Sequence, residues 1–150
     1  MQKPPSQYSN NMYNPKYFSL SELCRSYTAE KNGIDNTPDF YQVFNLCRLC
    51  ELVLDPVREA VKRPIIVASG FRSQELNKAV GGVATSQHVL GCAADIVCAD
   101  MLGLAEALKA NKEFDQLILE KRNNGKNVWY HVSVPLPGTN PRHQFLTINK

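Results

Sequence analysis

Residues 86–95, with the sequence SQHVLGCAAD, contain a histidine and an aspartate, and residues 129–133 (WYHVS) supply a second histidine. Two imidazoles and one carboxylate form a ligand set that Zn²⁺ binds well. Three protein ligands leave a fourth coordination position for water, which is typical of a catalytic rather than a structural zinc site. We therefore expect His88, Asp95 and His131 to converge on one metal ion when the chain folds.

The apolar pattern around these residues predicts a small sheet. Gly91 permits the turn that would bring His88 and Asp95 to one point, because glycine tolerates backbone angles that other residues resist. On the strand that contains His131, alternation places Trp129 and Ser133 on the same face as the histidine. Short strands are predicted at 65–68, 93–98, 114–120, 128–134 and 144–148.

Helix signals precede the predicted sheet. Ser19 and Glu22 have the spacing of a capping box, which predicts a helix start. The pair Thr37-Pro38 predicts an N-cap and a first helical residue for a long helix that runs to about residue 62. Pro56 lies within that helix, so we expect a kink near residues 54–55. Further helices are predicted at 74–80 and 100–110.

Together these signals predict an α+β fold, in which N-terminal helices pack on a small, mainly antiparallel β-sheet that carries the metal site. Residues 1–15 are polar and rich in proline and asparagine, so we expect a flexible N-terminal arm. Residues 16–150 are long enough for one domain with its own core. We expect that domain to be monomeric.

Composition excludes several classes of protein. The 150 residues carry a net charge of +3 without a basic stripe that alternates with aromatic residues, so nucleic-acid binding is not expected. No apolar segment approaches the length of a membrane span, and the first residues lack the apolar core of a signal peptide. We therefore expect a protein that is cytoplasmic when made.

Five cysteines are an odd number, so at least one is outside any intrachain disulfide. Their apolar neighbours predict buried thiols in a reducing compartment. Cys47 and Cys50 have CxxC spacing, which leaves a thiol-based redox function as a third hypothesis. The amphipathic pattern of their helix favours core packing instead.

The order of motifs in this chain resembles a known enzyme family. The motifs are residues 69–73 (SGFRS), 77–82 (NKAVGG), 86–95 (SQHVLGCAAD) and the pair Trp129 and His131. They resemble zinc D-alanyl-D-alanine carboxypeptidases and related L-alanyl-D-glutamate endopeptidases, a group that includes many phage endolysins and shares its fold with the Hedgehog signalling domain. The resemblance covers about residues 17–134.

This resemblance implies roles for individual residues. It implies that His88, Asp95 and His131 bind zinc, that Arg72 contacts the substrate and stabilises developing charge, and that Ser86 positions the substrate. The implied substrate is a peptidoglycan stem peptide, and the implied setting is a phage or prophage product released to the cell wall. A guanidinium at residue 72 also has a physical rationale, since it can hold a carboxylate or an oxyanion with paired donors.

The general base is where the chain departs from its relatives. Many of them have an acid three positions before the last histidine ligand, or a second histidine two positions before it; this chain has Val128 and Trp129 there. The resemblance extends to relatives with a glutamate at the end of the preceding strand, so Glu120 is the expected base. Asp115 is the second candidate.

Hairpin register bears on that choice. A tight turn at Asn123-Asn124 would pair Glu120 with about Asn127 and place Gln116 opposite His131. A wide loop over residues 121–126 would instead bring Glu120 closer to the metal. The sequence leaves both arrangements open.

The first functional hypothesis is therefore zinc-dependent hydrolysis of a peptide bond in peptidoglycan, of either the D,D-carboxypeptidase or the L-Ala-D-Glu endopeptidase type. The alternative is a zinc-containing module for cell-wall binding or phage structure with weak or no activity. Val128 favours the alternative, because its side chain cannot accept a proton. The third histidine, His143, has no ligand-like neighbour in the sequence, and we expect it to be structural or exposed.

Overall fold

The structure, a computed structural model, describes residues 14–150. The predicted arm at 1–15 therefore lies outside the described residues except for its last two positions. The helices are α1 (Leu20–Cys24), α2 (Tyr27–Asn32), α3 (Phe40–Leu49), α4 (Asp55–Val61), α5 (Gln74–Ala79) and α6 (Met101–Ala110). The strands are β1 (Ile65–Ser69), β2 (Ala93–Cys98), β3 (Gln116–Arg122), β4 (Asn127–Ser133) and β5 (Gln144–Asn149).

The sheet has the strand order β1-β2-β4-β3-β5. The first three pairings are antiparallel, whereas β5 runs parallel to β3 at the edge of the sheet. Helix α1 contacts β1, and helix α6 contacts β2 and α4. The prediction of an α+β fold with a mainly antiparallel sheet is confirmed.

One face of the sheet packs against the helices, and the other carries candidate metal ligands. Alternation directs Ile96, Leu117 and Val132 into the core, where they pack with the apolar side chains of the helices. The residues that precede the first and last of these, Asp95 and His131, belong to the opposite face. The metal-ligand candidates therefore share one surface of the sheet, and the helices support that sheet from behind.

Two helix starts test the capping predictions. The predicted capping box of α1 is present, with Ser19 and Glu22 each bonded to the other's backbone. The predicted start of α3 at Thr37 is wrong. Asp39 is the N-cap, because its carboxylate accepts the N–H of Gln42 at 2.8 Å while the Gln42 side chain accepts the N–H of Asp39 at 2.8 Å. That reciprocal pair satisfies two backbone donors, which a threonine followed by proline does not.

Between α3 and α4 the helix continues through a π-helical segment, Cys50–Leu54. The predicted irregularity near residues 54–55 is therefore an expanded turn immediately before Pro56. Proline has no N–H to donate to the carbonyl four residues earlier, which is that of Leu52. This carbonyl instead accepts a hydrogen bond from Asn111 Nδ2 at 2.9 Å. Because Pro56 leaves the Leu52 carbonyl without its usual donor, this carbonyl can link the helix to Asn111 at the C-terminal end of α6.

Within residues 14–150 the helices are all too short or too polar to cross a lipid bilayer.

Candidate metal centre

Three buried side chains from separate elements converge on one face of the sheet. His88 lies in the loop between α5 and β2, Asp95 lies on β2, and His131 lies opposite Asp95 on β4. Their side chains offer one nitrogen or oxygen each, and these atoms all lie within 4.8 Å of one another. The expected convergence of these residues is therefore present, with Asp95 and His131 on neighbouring strands and His88 on a loop.

Hydrogen bonds set the orientation of both imidazoles. His88 Nδ1 lies 2.7 Å from the carbonyl oxygen of Gly70, so this nitrogen carries the proton and donates it. The opposite nitrogen, Nε2, then faces Asp95 Oδ1 at 3.2 Å, and His131 Nδ1 faces the same oxygen at 3.1 Å. A backbone carbonyl that fixes the tautomer of a histidine ligand is common in protein metal sites.

The carboxylate of Asp95 favours its charged form. Burial by itself raises the pKa of this group, but the neighbouring imidazoles of His88 and His131 outweigh burial and hold the pKa below its usual range. Arg72 Nη2 lies 3.5 Å from the second carboxylate oxygen. Two imidazole nitrogens and one ionised carboxylate oxygen, all buried and adjacent, fit a divalent cation such as Zn²⁺.

The loop that holds His88 is fixed to helix α3. Gln42 Nε2 donates to the carbonyl of Val89 at 3.0 Å, and Asn45 Nδ2 donates to that of Leu90 at 2.9 Å. Gly91 has φ +77°, and a Cβ there would lie 2.5 Å from the Gln42 carbonyl oxygen. Glycine is therefore required at 91 by both backbone angle and space. The sequence predicted this glycine's role but not the two amides, which are distant along the chain.

Arg72 lies beside the metal-ligand candidates. Its Nε donates to Ser69 Oγ at 3.1 Å, and its Nη1 donates to Asn77 Oδ1 at 3.2 Å. Burial lowers the pKa of the guanidinium, and the negative charges of Asp95 and Glu120 partly oppose that effect. Arg72 is thus a partly buried cation beside the candidate ligands, and hydrogen bonds restrain its guanidinium. Asn77, which accepts one of these bonds, was not predicted as a site residue.

Ser86 and Arg72 both line the cleft in which the three candidate ligands lie. The hydroxyl oxygen of Ser86 also accepts the backbone N–H of His88 at 3.2 Å. This contact helps to shape the turn that precedes the histidine. Ser86 therefore lines the same cleft as the candidate ligands and also has a local structural role.

The β3–β4 connection places Glu120 in the same cleft. A four-residue loop, 123–126, joins the strands and includes positive φ angles at Asn123, Asn124 and Gly125. With this loop, Ile118 lies opposite His131 and Glu120 lies opposite Trp129. The tight-turn register is therefore wrong. The loop is longer than that turn but shorter than the wide loop over residues 121–126, because Lys121 and Arg122 remain paired with Val128 and Asn127. Glu120 faces the cleft, where its Oε1 accepts a hydrogen bond from Arg122 Nη2 at 3.2 Å.

Asp115, the second candidate for the base, is committed elsewhere. Its carboxylate accepts hydrogen bonds from Arg142 Nη2 at 2.7 Å and from Gln87 Nε2 at 3.0 Å. The hydrogen bonds from Arg142 hold the pKa of Asp115 below its usual value. Asp115 is also not among the residues that line the cleft. It joins the segment before β5 to the residue that precedes His88.

The remaining histidine and the cysteines are outside the metal group. His143 Nε2 donates to the carbonyl oxygen of Asn111 at 2.9 Å, and its ring stacks on Phe114 with the ring centres 4.0 Å apart. All five cysteines lie among the described residues, and each is outside any disulfide there. Burial raises the pKa of Cys24 to about 12 and that of Cys92 to about 11. Cys47 and Cys50 lie buried in the core cluster, as packing predicted, which argues against a redox pair.

A comparison with protein families finds that the model of the Peptidase M15 family matches residues 16–133. No curated protein matches the chain. The matched range contains the three candidate ligands, Arg72 and Glu120, which confirms the family resemblance of the motifs. It ends at the last residue of β4, so Arg142 and β5 lie beyond it.

Proposed function

This chain belongs to the Peptidase M15 family of zinc metallopeptidases, and from that premise we propose that it hydrolyses peptide bonds in the stem peptides of peptidoglycan. We propose further that residues 16–150 act as one peptidase domain. The observation that carries the proposal is the convergence of ligand atoms of His88, Asp95 and His131, all within 4.8 Å of one another, in the lining of one cleft.

The proposed ligands are these three residues, and the metal they would hold is zinc. Bound there, zinc would supply Lewis-acid activation of water and of the scissile carbonyl. Glu120 faces the same cleft and would take a proton from the attacking water, then return it to the leaving amine. Arg72 would hold the oxyanion that develops on the carbonyl oxygen, and Ser86 would position the peptide beside it.

The charge of the cleft supports an anionic substrate. Among its described lining residues, Arg72, Arg122, Arg142 and Lys150 are basic, whereas Asp95 and Glu120 are acidic. A stem peptide carries a carboxylate at its terminal D-alanine and another on D-glutamate. Either a D,D-carboxypeptidase or an L-Ala-D-Glu endopeptidase would therefore gain from a basic cleft.

The test is activity of the zinc-loaded chain on purified sacculi, with and without a chelator. Mass spectrometry of the released muropeptides identifies the bond that is cut. We expect release that stops when the metal is removed and resumes when zinc is restored. Intact sacculi and intact synthetic stem peptides after prolonged incubation with the zinc-loaded protein would overturn the proposal.

One observation favours a second candidate, a zinc-containing wall-binding or phage structural module with weak activity. Glu120 is engaged by Arg122 rather than free. A module of this kind would bind sacculi in a pull-down assay without releasing muropeptides. In either case a wall substrate requires release of the protein to the wall, as occurs for a phage or prophage product.

A further inference from the structure

Two residues that line the cleft each contain a buried hydrogen-bond donor with no acceptor among residues 14–150. Arg122 Nε and Trp129 Nε1 are both shielded from solvent and without a partner in the part of the chain that the structure describes. Both residues line the cleft that contains the metal-ligand candidates. A buried donor without an acceptor is costly and uncommon in folded proteins, so the expected acceptor lies outside the described residues.

The two donors belong to one local structure. Arg122 lies on β3 two residues beyond Glu120, and Trp129 lies opposite Glu120 on β4, so all three belong to the cleft face. The Arg122 guanidinium carbon lies 5.6 Å from the centre of the Trp129 ring. This packing restrains the guanidinium plane, so less side-chain freedom remains to be lost when a ligand binds.

The positive charge of Arg122 indicates which kind of ligand group would accept hydrogen bonds from Arg122 and Trp129. Arg122 makes one 3.2 Å contact with Glu120, through Nη2, whereas its Nε has no partner among the described residues. Arg142 and Lys150 line the same cleft. A planar guanidinium with free donors beside an indole N–H is suited to an anionic group with two oxygens, which is a carboxylate.

Arg122 lies at a distance from the metal-ligand candidates, where the scissile bond would be. Ile118 lies opposite His131, and Arg122 is four positions further along β3. Four residues of a strand span about 13 Å. An extended peptide whose scissile carbonyl lies at the metal group would therefore bring a group a few residues away to Arg122.

We propose that Arg122 and Trp129 form a carboxylate subsite that binds an acidic group of the substrate remote from the bond that is cut. This inference rests on the proposed function, since it deepens the substrate class of the same cleft. Two carboxylates of a stem peptide have this chemistry: the α-carboxylate of D-glutamate and the carboxylate of the terminal D-alanine.

The test uses three synthetic peptides with the zinc-loaded full chain. The parent is L-Ala-γ-D-Glu-L-Lys-D-Ala-D-Ala; the second has a D-glutamate α-carboxamide, and the third has a C-terminal amide. We expect the wild type to prefer the parent over one of the two amides by about 10- to 100-fold in kcat/KM, the range for a hydrogen-bonded charged pair. The amide that loses rate identifies which carboxylate is bound.

Variants assign the preference to the subsite. Arg122→Gln should remove the preference between acid and amide, while Arg122→Lys should restore part of it. Trp129→Phe keeps the ring but not the N–H, and should reduce the preference by about 3- to 10-fold. The matched control is Lys121→Gln, which removes the same charge from the adjacent residue of β3, on the other face of the sheet.

Equal rates of the wild type on all three peptides, or an unchanged preference in Arg122→Gln with normal zinc content, would overturn the subsite. If the wild type cleaves none of the peptides, the proposed function fails, and calorimetric binding of the same peptides decides the subsite separately. Tighter binding of the parent than of one amide, lost in Arg122→Gln, supports it; equal binding overturns it.

Discussion

The two ends of the cleft differ in how their polar groups are satisfied. At the metal end, His88 and His131 both face one oxygen of Asp95, and the other oxygen faces Arg72. At the outer end, Arg122 Nε and Trp129 Nε1 have no acceptor among the described residues. The metal end is therefore arranged in advance for a small cation, whereas the outer end is arranged for a group that arrives with the substrate.

Removal of one ligand should disable the metal end completely. We expect His88→Ala to reduce bound zinc from about one ion per chain to almost none, because two protein ligands rarely hold zinc. Peptide hydrolysis should fall to background. Elemental analysis of the purified variant, together with the muropeptide assay, measures both effects.

The matched control is His143→Asn, which removes the histidine outside the metal group. Asparagine tolerates the positive φ angle of 52° at this position. Zinc content and hydrolysis should match the wild type, although loss of stacking on Phe114 should lower the melting temperature. Loss of zinc in this variant would show that the ligand set is not the one proposed.

Glu120 lies between the two ends, and its replacement should separate chemistry from metal binding. We expect Glu120→Gln to retain zinc and to lower kcat by about 100- to 10,000-fold, the usual contribution of a general base. Circular dichroism and zinc analysis provide the folding control. A variant with wild-type turnover would exclude this residue as the base while leaving the metal end intact.

Gly91 tests how rigidly the metal end is supported. An added Cβ would meet the Gln42 carbonyl oxygen at 2.5 Å, and the φ of +77° disfavours any L side chain. We expect Gly91→Ala to lower the free energy of unfolding by about 1–3 kcal/mol, as strained backbone positions do, and to weaken zinc binding through movement of His88. Gly125→Ala is the comparison: it shares a positive φ of 82° but has open space around it, so zinc affinity should not change.

Asp115 couples the segment after β4 to the metal loop, and its effect should be the smallest. Arg142 is more than half exposed, so solvent weakens the ion pair. We expect Asp115→Asn to lower the free energy of unfolding by about 1 kcal/mol. Chemical denaturation at neutral pH measures this difference.

The same pair predicts a pH dependence with a definite sign. Because folding lowers the pKa of Asp115, its stabilising contribution is present above the ordinary aspartate pKa. That contribution is lost as the pH falls below about 4, through the lower folded value. The stability difference between wild type and Asp115→Asn should therefore narrow in acid, and a difference that widens would contradict this pairing.

The metal end was predictable from sequence because its determinants are local. Strand alternation decides which face of the sheet carries the side chains of Asp95 and His131. Residues 86–95 contain the turn that brings His88 close to Asp95. Arg72 and Ser86 followed from the motif order. These predictions needed only short-range geometry and the family resemblance.

The outer end was not predictable, since it depends on pairing between distant residues. The four-residue loop 123–126 sets the register that brings Glu120 beside Trp129, and the sequence allowed two registers. The residues of β5 predicted a strand but not its parallel direction. Likewise, the start of α3 at Asp39 rather than Thr37 was decided by a reciprocal bond with Gln42.

Pro56 has an evolutionary consequence beyond the shape of its helix. The Leu52 carbonyl accepts no hydrogen bond from residue 56 and accepts one from the Asn111 amide instead. The residue types at positions 56 and 111 therefore depend on each other. In a related protein with a residue other than proline at position 56, the backbone N–H of that residue would donate to the Leu52 carbonyl. Position 111 would then no longer need an asparagine. The double replacement Pro56→Ala with Asn111→Ala should therefore be less harmful than the sum of its parts, a signature of epistasis between two helices remote from the catalytic face.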